Sequence, residues 1–292
     1  MALSISALVQ WSDLPVLAWE KIMEIITPSC MSVELRGYRI LVHGPPREVG
    51  EIRLVCKGWR DNCDEHIVKL MLSPPQGPTT VSAMRTFLRR FPSIQAVMLS
   101  DDSRRAPGHM WANVVESLVP TNLTGLCYTG GGSHNGDYIQ RLTGFKALTT
   151  LHLRGHFSSV RGLEFLTSLK TLCLRGTSDV LDDDAFSSLS RLINLTDLDL
   201  TYCNKLSSPH GFAPLACFTA LTSLNLDITL ANDDVLLRTV STLSALTSLA
   251  IKLERPERSL ISLVAVRRLQ NILPNLHVFM QRCSTTTWLL TL

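Results

Sequence analysis

The chain has 292 residues, of which 45% are hydrophobic and 18% charged, and its formal net charge at pH 7 is +3. So small a net charge, without a basic run interleaved with aromatic residues, argues against binding to nucleic acid or to an anionic membrane surface. No apolar run approaches the roughly 20 residues that a membrane-spanning helix needs. The length suffices for one large domain and a small second module.

The first ten residues lack the positive charge and the long apolar segment of a secretory signal. The eight cysteines show no Cys-x-x-Cys spacing, so reduced thiols are expected rather than a disulfide framework. We therefore expect a cytoplasmic or nuclear protein that is not glycosylated at its Asn-x-Thr sequons, Asn122 and Asn194. A secreted, glycosylated repeat protein is the alternative, and it would require a cleaved N terminus.

Residues 10–72 are predicted to form a small all-helical module. Pro15 suits a first helical turn, and an apolar stripe that includes Ile22 and Ile25 follows it. A second helical pattern runs over about 48–67. A module of this size buries little surface by itself, so its remaining apolar stripes need a partner.

This module resembles the F-box. The resemblance rests on the opening Asp13-Leu-Pro15, on an Ile-x-x-Ile helix, and on Leu54-Val-Cys-Lys-Gly-Trp-Arg60. In F-box proteins these apolar positions dock on the Skp adaptor of a cullin–RING ubiquitin ligase. The resemblance therefore implies an adaptor-binding surface made of Leu14, Pro15, Ile22, Ile25, Leu54 and Val55. The alternative is a helical cap that shields the first unit of the following domain.

Two segments separate the predicted parts of the chain. Residues 27–47 exceed the connection that F-boxes usually have between their helices, and we interpret them as either a looped insertion or a mispredicted exon. Residues 73–78 contain three prolines, which exclude both helix and strand, and are predicted to be a linker. The predicted division is therefore a helical module over 10–72, a linker over 73–78 and a second domain over 79–292.

A Leu-x-x-Leu-x-Leu/Ile pattern recurs in the second domain, with intervals of 21, 26, 26 and 25 residues. Its five clear copies begin at Leu148, Leu169, Leu195, Leu221 and Leu246. Weaker copies begin at Ile94, Leu123 and Leu276. This period is typical of leucine-rich repeats, which stack because no single unit can bury its own apolar face. The predicted fold is an α/β solenoid of about eight repeats, in which a curved parallel sheet has helical returns.

Side chains alternate along each strand, so the leucines face inward and the residues between them lie on the concave face. We expect a protein target to bind there, at Thr150, His152, Arg154, Thr171, Arg175, Asp197, Asp199, Asn225 and Asp227. The basic rows lie beside acidic rows, which favours a charged peptide partner. After each strand a polar residue, such as Thr177 or Cys203, is expected to satisfy backbone groups of the buried turn.

Other motifs do not indicate chemistry. The glycine-rich segment 129–133 lacks the Gly-Lys-Ser/Thr of a phosphate-binding loop. His152, His156 and Cys173 lack the spacing of metal ligands. No combination of nucleophile, base and orienting group can be assembled. We predict a non-catalytic protein without metal or cofactor.

An F-box followed by leucine-rich repeats resembles the F-box/leucine-rich-repeat proteins of plants and algae. The resemblance implies a substrate receptor of a Skp–cullin–F-box ubiquitin ligase, which holds an unidentified protein target for ubiquitin transfer. Its expected partners are the Skp adaptor and, through it, the cullin and RING subunits. The alternative is a leucine-rich-repeat scaffold that binds a partner without any ligase.

Overall fold

The structure, a computed structural model, describes residues 29–35, 38–44, 69–72, 81–89, 91–101, 114–118, 122–134, 138–157, 159–177, 181–203, 205–206, 210–227, 233–253, 262–282 and 287–290. Within these residues, twelve strands form one sheet whose spatial order is the order of the sequence. The strands are Ser29–Leu35 (β1), Tyr38–Gly44 (β2), Lys69–Leu72 (β3), Ala96–Asp101 (β4), Gly125–His134 (β5), Thr150–Phe157 (β6), Thr171–Cys173 (β7), Asp197–Asp199 (β8), Ser223–Asp227 (β9), Ser248–Leu253 (β10), His277–Arg282 (β11) and Thr287–Leu290 (β12).

Strands β3 to β11 are parallel, whereas β1, β2 and β12 pair antiparallel with their neighbours. In the first seven repeats the middle apolar residue of the pattern occupies one register position, so it stacks on its equivalents in the next strands. In the copy that begins at Leu276 the register is shifted by one residue, and Val278 rather than Phe279 takes this position. These residues are Val97, Leu126, Leu151, Leu172, Leu198, Leu224, Leu249 and Val278, all of them buried. Strands β4 to β11 coincide with the eight predicted repeats, and the leucine-rich-repeat solenoid is confirmed.

Short helices and 3-10 turns return the chain between strands. The helices are Val81–Leu88 (α1), Tyr138–Arg141 (α2), Asp183–Ser188 (α3), Asp233–Arg238 (α4) and Leu263–Ile272 (α5). The 3-10 turns are Leu142–Gly144, Leu163–Phe165, Leu189–Arg191, His210–Cys217 and Val240–Thr242. Helical returns between the strands were predicted. They are confirmed by α3, which lies between β7 and β8, and by α4, which lies between β9 and β10. Asp182 starts α3 by accepting a hydrogen bond from the Ala185 backbone N–H at 2.8 Å.

Three strands lie inside residues 10–72, which corrects the prediction of an all-helical module at those residues. β1 and β2 form an antiparallel hairpin in the segment interpreted as a looped insertion or a mispredicted exon. The reason is local, because β2 is rich in β-branched and aromatic residues, which favour strands. β3 pairs parallel with β4 and so joins the sheet of the repeats. The two predicted helices, the linker and the adaptor-binding residues lie outside the described residues, and the division of the chain into domains stays a prediction.

The apolar core lies between the sheet and the returns. Phe186 of α3 is fully buried and makes edge-to-face contacts with two other buried rings, at centroid distances of 6.5 Å to Phe212 and 6.2 Å to Phe218. The leucines of the neighbouring strands, such as Leu198 and Leu224, close the core on the side of the sheet. Packing among large side chains of successive repeats therefore holds the returns to the strands.

A ladder of threonine side chains also joins the repeats. At the start of a strand, a threonine hydroxyl donates to a backbone carbonyl of the preceding repeat, with oxygen–oxygen distances of 3.0 to 3.2 Å. The pairs are Thr124 to Gln95, Thr149 to Thr124, Thr196 to Lys170, Thr222 to Thr196 and Thr247 to Thr222. Two backbone N–H groups donate to each of these carbonyls as well. Each of these carbonyls therefore accepts three bonds, and the strand starts are tied together.

The turn after β7 is closed by buried polar side chains, as expected. Thr177 Oγ1 donates to the carbonyl of Leu174 at 2.8 Å, and Cys203 Sγ donates to the same carbonyl at 3.1 Å. Burial raises the pKa of the Cys203 thiol to about 12, and burial also raises the pKa of Cys173 to about 11. Both thiols are therefore neutral at physiological pH, and that of Cys203 serves as a hydrogen-bond donor in the turn.

We expect native protein treated with iodoacetamide at pH 8 to be alkylated at Cys217 but not at Cys173 or Cys203. Only the thiolate reacts, and a thiol with a pKa near 12 is deprotonated in about one molecule in ten thousand at that pH. Cys217 is exposed, which gives the reagent access to it. Peptide mass spectrometry after digestion measures the labelling. All three residues should react once guanidinium chloride unfolds the chain, and labelling of native Cys203 as fast as Cys217 would contradict the described turn.

Candidate binding groove on the concave face

A groove of about 500 Å³ lies on the face of the sheet opposite the returns, which we call the concave groove. It crosses β6, β7, β8 and β9. Its lining is polar along alternate positions, since the residues between them are the buried leucines of the core. The lining residues are His152, Arg154, Thr171, Leu172, Cys173, Arg175, Asp197, Leu198, Asp199, Ser223 and Asn225.

Three cationic side chains lie in or beside the groove. Arg154 belongs to β6 and is exposed, and Arg175 follows β7 and is half-buried. The Arg175 guanidinium carbon lies 5.2 Å from the centroid of the Tyr202 ring. Lys252 of β10 places its ammonium nitrogen 4.0 Å from the same centroid and donates to the Tyr202 hydroxyl. Tyr202 therefore contacts two cations, Arg175 through its ring and Lys252 through its ring and its hydroxyl.

The backbone of Tyr202 has a φ of 63°, the one positive value among the non-glycine residues that the structure describes. This conformation is uncommon for a residue with a β-carbon. It occurs directly after Thr201 and before Cys203, whose side chain is fixed in the buried turn. The turn therefore determines the position of the tyrosine ring beside Arg175.

Two carboxylates of β8 lie in the groove beside the arginines. The Thr196 hydroxyl shares its single hydrogen between the Lys170 carbonyl of the ladder, at 3.1 Å, and Asp197 Oδ2, at 2.9 Å. Asp199 accepts from the N–H and the hydroxyl of Thr201 through its Oδ1 atom, at 2.9 and 2.7 Å. Among the residues that the structure describes, neither carboxylate makes an ion pair with Arg154 or Arg175. Unlike charges thus adjoin in the groove without neutralising each other in direct contacts.

The structure brings most of the predicted target-binding residues together. Seven of the nine line the groove: His152, Arg154, Thr171, Arg175, Asp197, Asp199 and Asn225. Thr150 lies outside the lining, at the start of β6, in register with Thr171. Asp227 was expected on the accessible face, but its side chain is fully buried, so it is not available to a target in this structure. Target binding by the others stays a prediction.

Tyr202, which contacts the groove residue Arg175 without being part of the lining itself, is the residue that the repeat pattern missed. It lies beyond the last position of its strand, where the alternation of inward and outward side chains no longer applies. Lys252 falls on the predicted concave face, but nothing in its own repeat indicates a contact with a tyrosine 50 residues earlier. The aromatic side chain directly before the closing Cys203 is the one local signal.

Several solved structures share this repeat architecture. A protein in the TLR13–ssRNA13 complex is 16% identical, over 73% of this chain and 32% of that one, with a TM-score of 0.45. A leucine-rich-repeat protein of Leptospira interrogans is 14% identical, over 65% of this chain and 73% of that one, with a TM-score of 0.27. A chain in the yeast Rad7–Elc1 complex is 10% identical, over 76% and 77%, with a TM-score of 0.31.

This chain spans about a third of the length of the TLR13-complex chain. No protein-family model and no curated protein matches the sequence. Every one of these TM-scores is below 0.5. The fold is therefore assigned from the leucine period and the strand register of this chain itself, without the solved structures.

Neither a metal-binding cluster nor a membrane-spanning helix occurs among the described residues. Within the described ranges, no group of three or more histidine, cysteine, aspartate or glutamate side chains is close enough to hold a metal ion. None of the helices in those ranges is both long enough and apolar enough to cross a bilayer. The groove supplies charged hydrogen-bonding groups, which can hold a partner by ion pairs and hydrogen bonds.

Proposed function

We propose that the chain is the substrate-recognition subunit of a Skp–cullin–F-box type ubiquitin ligase, acting in the cytoplasm or nucleus. The concave groove would hold the target protein, and residues 10–72 would dock on the Skp adaptor. The observation that supports target binding is the groove itself, where Arg154, Arg175, Asp197 and Asp199 adjoin without ion pairs among the described residues. The ligase class is supported by the F-box-like motifs, above all by 54–60.

The proposed subunit has no catalytic step of its own. It would hold the target's lysines close to a ubiquitin-conjugating enzyme bound elsewhere in the complex. Tethering raises the effective concentration of one reactant at another, to the millimolar range for short flexible links, and so accelerates transfer. The solenoid suits this role because its eight repeat strands, β4 to β11, give a face roughly 35 Å long, at a spacing of about 4.8 Å per strand.

The test is a pull-down of purified Skp adaptor by the full chain. We expect the wild type to retain the adaptor, and the Leu14→Ala/Pro15→Ala double variant to retain at least about tenfold less, since two buried apolar contacts are removed. Asp199→Asn is the matched control, because it alters the groove and leaves the proposed docking surface intact. Its adaptor binding should equal that of the wild type.

Absence of adaptor binding by a wild-type protein with a cooperative unfolding transition would exclude the ligase proposal. The alternative is then a leucine-rich-repeat scaffold in which residues 10–72 cap the solenoid. One observation favours that alternative: β3 pairs with β4, so part of the N-terminal region extends the repeat sheet. Under the scaffold proposal, deletion of residues 1–72 would lower the free energy of unfolding of the solenoid, and neither the full chain nor the deletion variant would bind the adaptor.

A further inference from the structure

The charges of the concave groove are ordered, and their order indicates what the groove accepts. Arg154 lies in the middle of β6 and Arg175 directly after β7, while Asp197 and Asp199 lie on the next strand, β8. We infer that the groove binds an extended peptide segment in which an anionic group, a carboxylate or a phosphate, contacts the two arginines and a cationic side chain contacts the two aspartates. This inference rests on the proposed target-binding role of the groove.

Arg175 is arranged to bind an anion. Its guanidinium lies against the face of the Tyr202 ring, a contact that restrains the plane of the group while leaving its N–H donors at the edge. Lys252 also restrains the position of this ring, by its own contact with the ring and its bond to the hydroxyl. A planar guanidinium with a restrained orientation is suited to bind a carboxylate or phosphate through two parallel hydrogen bonds.

The aspartates are arranged to bind a cation. They are two residues apart on one strand, so they lie on the same face about 7 Å from each other. Thr196 and Thr201 each donate to one carboxylate, which fixes its rotamer before any ligand arrives. Within the described part of the chain, these bonds use one oxygen of each carboxylate, Oδ2 of Asp197 and Oδ1 of Asp199, and leave the other oxygen to a ligand. A lysine or arginine side chain of the peptide can bridge the two.

The spacing of the strands predicts the spacing of the peptide's charges. Arg175 lies one strand away from Asp199 and Arg154 two strands away, and both lie two residues further along their strands, so the separations are about 8 to 12 Å. An extended peptide covers that distance in two or three residues. The expected motif is therefore an acidic or phosphorylated residue separated from a basic residue by one or two positions. The carboxylates of β8 would repel a continuous polyanion, so a nucleic acid is excluded from this groove by charge.

The test uses a random peptide library displayed on phage, with the full chain as bait. Wild-type protein is expected to select peptides that share the acidic-x-basic or acidic-x-x-basic spacing. Arg154→Gln/Arg175→Gln should lose the acidic preference and keep the basic one, and Asp197→Asn/Asp199→Asn should do the reverse. A selected peptide made synthetically should bind each double variant at least about tenfold more weakly, because charge-assisted hydrogen bonds are removed. The exposed pair Arg191→Gln/Arg267→Gln is the matched control and should bind as the wild type does.

Two further arms settle the chemistry of the anion and the class of ligand. In the first, the acidic residue of the synthetic peptide is replaced by phosphoserine, and the affinities of the two peptides are compared. Tighter binding of the phosphopeptide identifies a phosphate as the preferred anion, and tighter binding of the acidic peptide identifies a carboxylate. A single-stranded oligoribonucleotide should not displace the peptide, and displacement at equal concentration would contradict the inference. Selection of no peptide, or of peptides whose charges ignore the four substitutions, would overturn it. Adaptor pull-down with the same variants is independent, so this inference can fail while the ligase proposal stands.

Discussion

Replacing Phe186 with alanine is expected to lower the free energy of unfolding by about 3 to 5 kcal/mol, the cost of a large cavity in a packed core. The ring is fully buried and contacts both Phe212 and Phe218 edge-to-face, with interplanar angles of 63° and 67°. Its loss removes both contacts as well as the buried apolar area. Because these three rings join the returns of adjacent repeats, the loss should be felt across the centre of the solenoid.

The measurement is urea unfolding of the full chain followed by circular dichroism, with Phe165→Ala as the matched control. The control removes the same aromatic ring, but from a side chain that is 47% exposed. The described contact of the Phe165 ring is with Lys146, whose ammonium nitrogen lies 5.9 Å from the ring centroid. We expect the urea midpoint to fall strongly for Phe186→Ala. For Phe165→Ala we expect the free energy of unfolding to fall by less than about 1 kcal/mol. Equal midpoints for the two variants would contradict the aromatic core described above.

A second large effect is expected from Gly162→Ala, which should destabilise the chain by about 2 kcal/mol or more. Gly162 has a φ of 103°, a backbone conformation that residues with a β-carbon rarely adopt. A β-carbon there would also lie 3.2 Å from the Cα of Gln140, and a backbone atom cannot move aside as a flexible side chain can. Both the strain and the contact oppose the substitution.

Gly176→Ala separates the two causes. Gly176 also has a positive φ, 78°, but a β-carbon there would meet no heavy atom within 4 Å. We expect it to cost about 1 kcal/mol, from backbone strain alone. The difference between the two thermal or urea transitions then measures the close approach of Gly162 to α2. If Gly176→Ala were the more damaging substitution, the packing of the returns around Gly162 would be described wrongly.

The eight repeat strands could be predicted from the sequence because the leucine period is imposed by geometry. Each strand buries every second side chain, so Leu151, Leu172 and Leu198 must recur at one register position. The same alternation placed the arginines and aspartates of the groove on one face. Asp227 was predicted wrongly because its concave register position was taken to imply exposure, and register alone does not report how deeply a side chain is covered.

Other parts depend on contacts that no short pattern contains. Tyr202 reaches Lys252 across two repeats, and its position depends on a positive φ that follows from the turn. The β1–β2 hairpin occurs in a segment that was interpreted by reference to F-box helices, so its own strand-forming composition was not weighed. Strand pairing between β3 and β4 joins segments more than 20 residues apart and has no local signature.

The threonine ladder gives a structural reason for the two glycosylation-like sequons. In both Asn122-Leu-Thr124 and Asn194-Leu-Thr196 the threonine hydroxyl donates to a carbonyl of the preceding repeat. The amide of Asn194 donates to the carbonyl of Thr167 at 2.9 Å as well. These residues make bonds between repeats, which accounts for their recurrence without any modification.

The same ladder makes neighbouring repeats interchangeable. At each Leu-Thr junction, the threonine hydroxyl and two backbone N–H groups donate to a carbonyl of the preceding repeat. A backbone carbonyl at the start of the strand accepts the equivalent bonds from the next repeat, and the atoms involved are the same at every described threonine junction. Loss of residues 123–147 would leave Thr149 opposite the carbonyl of Gln95, where Thr124 now bonds. The ladder therefore allows a unit to be lost on the N-terminal side of the groove with the hydrogen bonds between strand starts re-formed, although the close approach of Gly162 to α2 would be lost with that unit. The strands β6 to β9, which form the groove, would be retained.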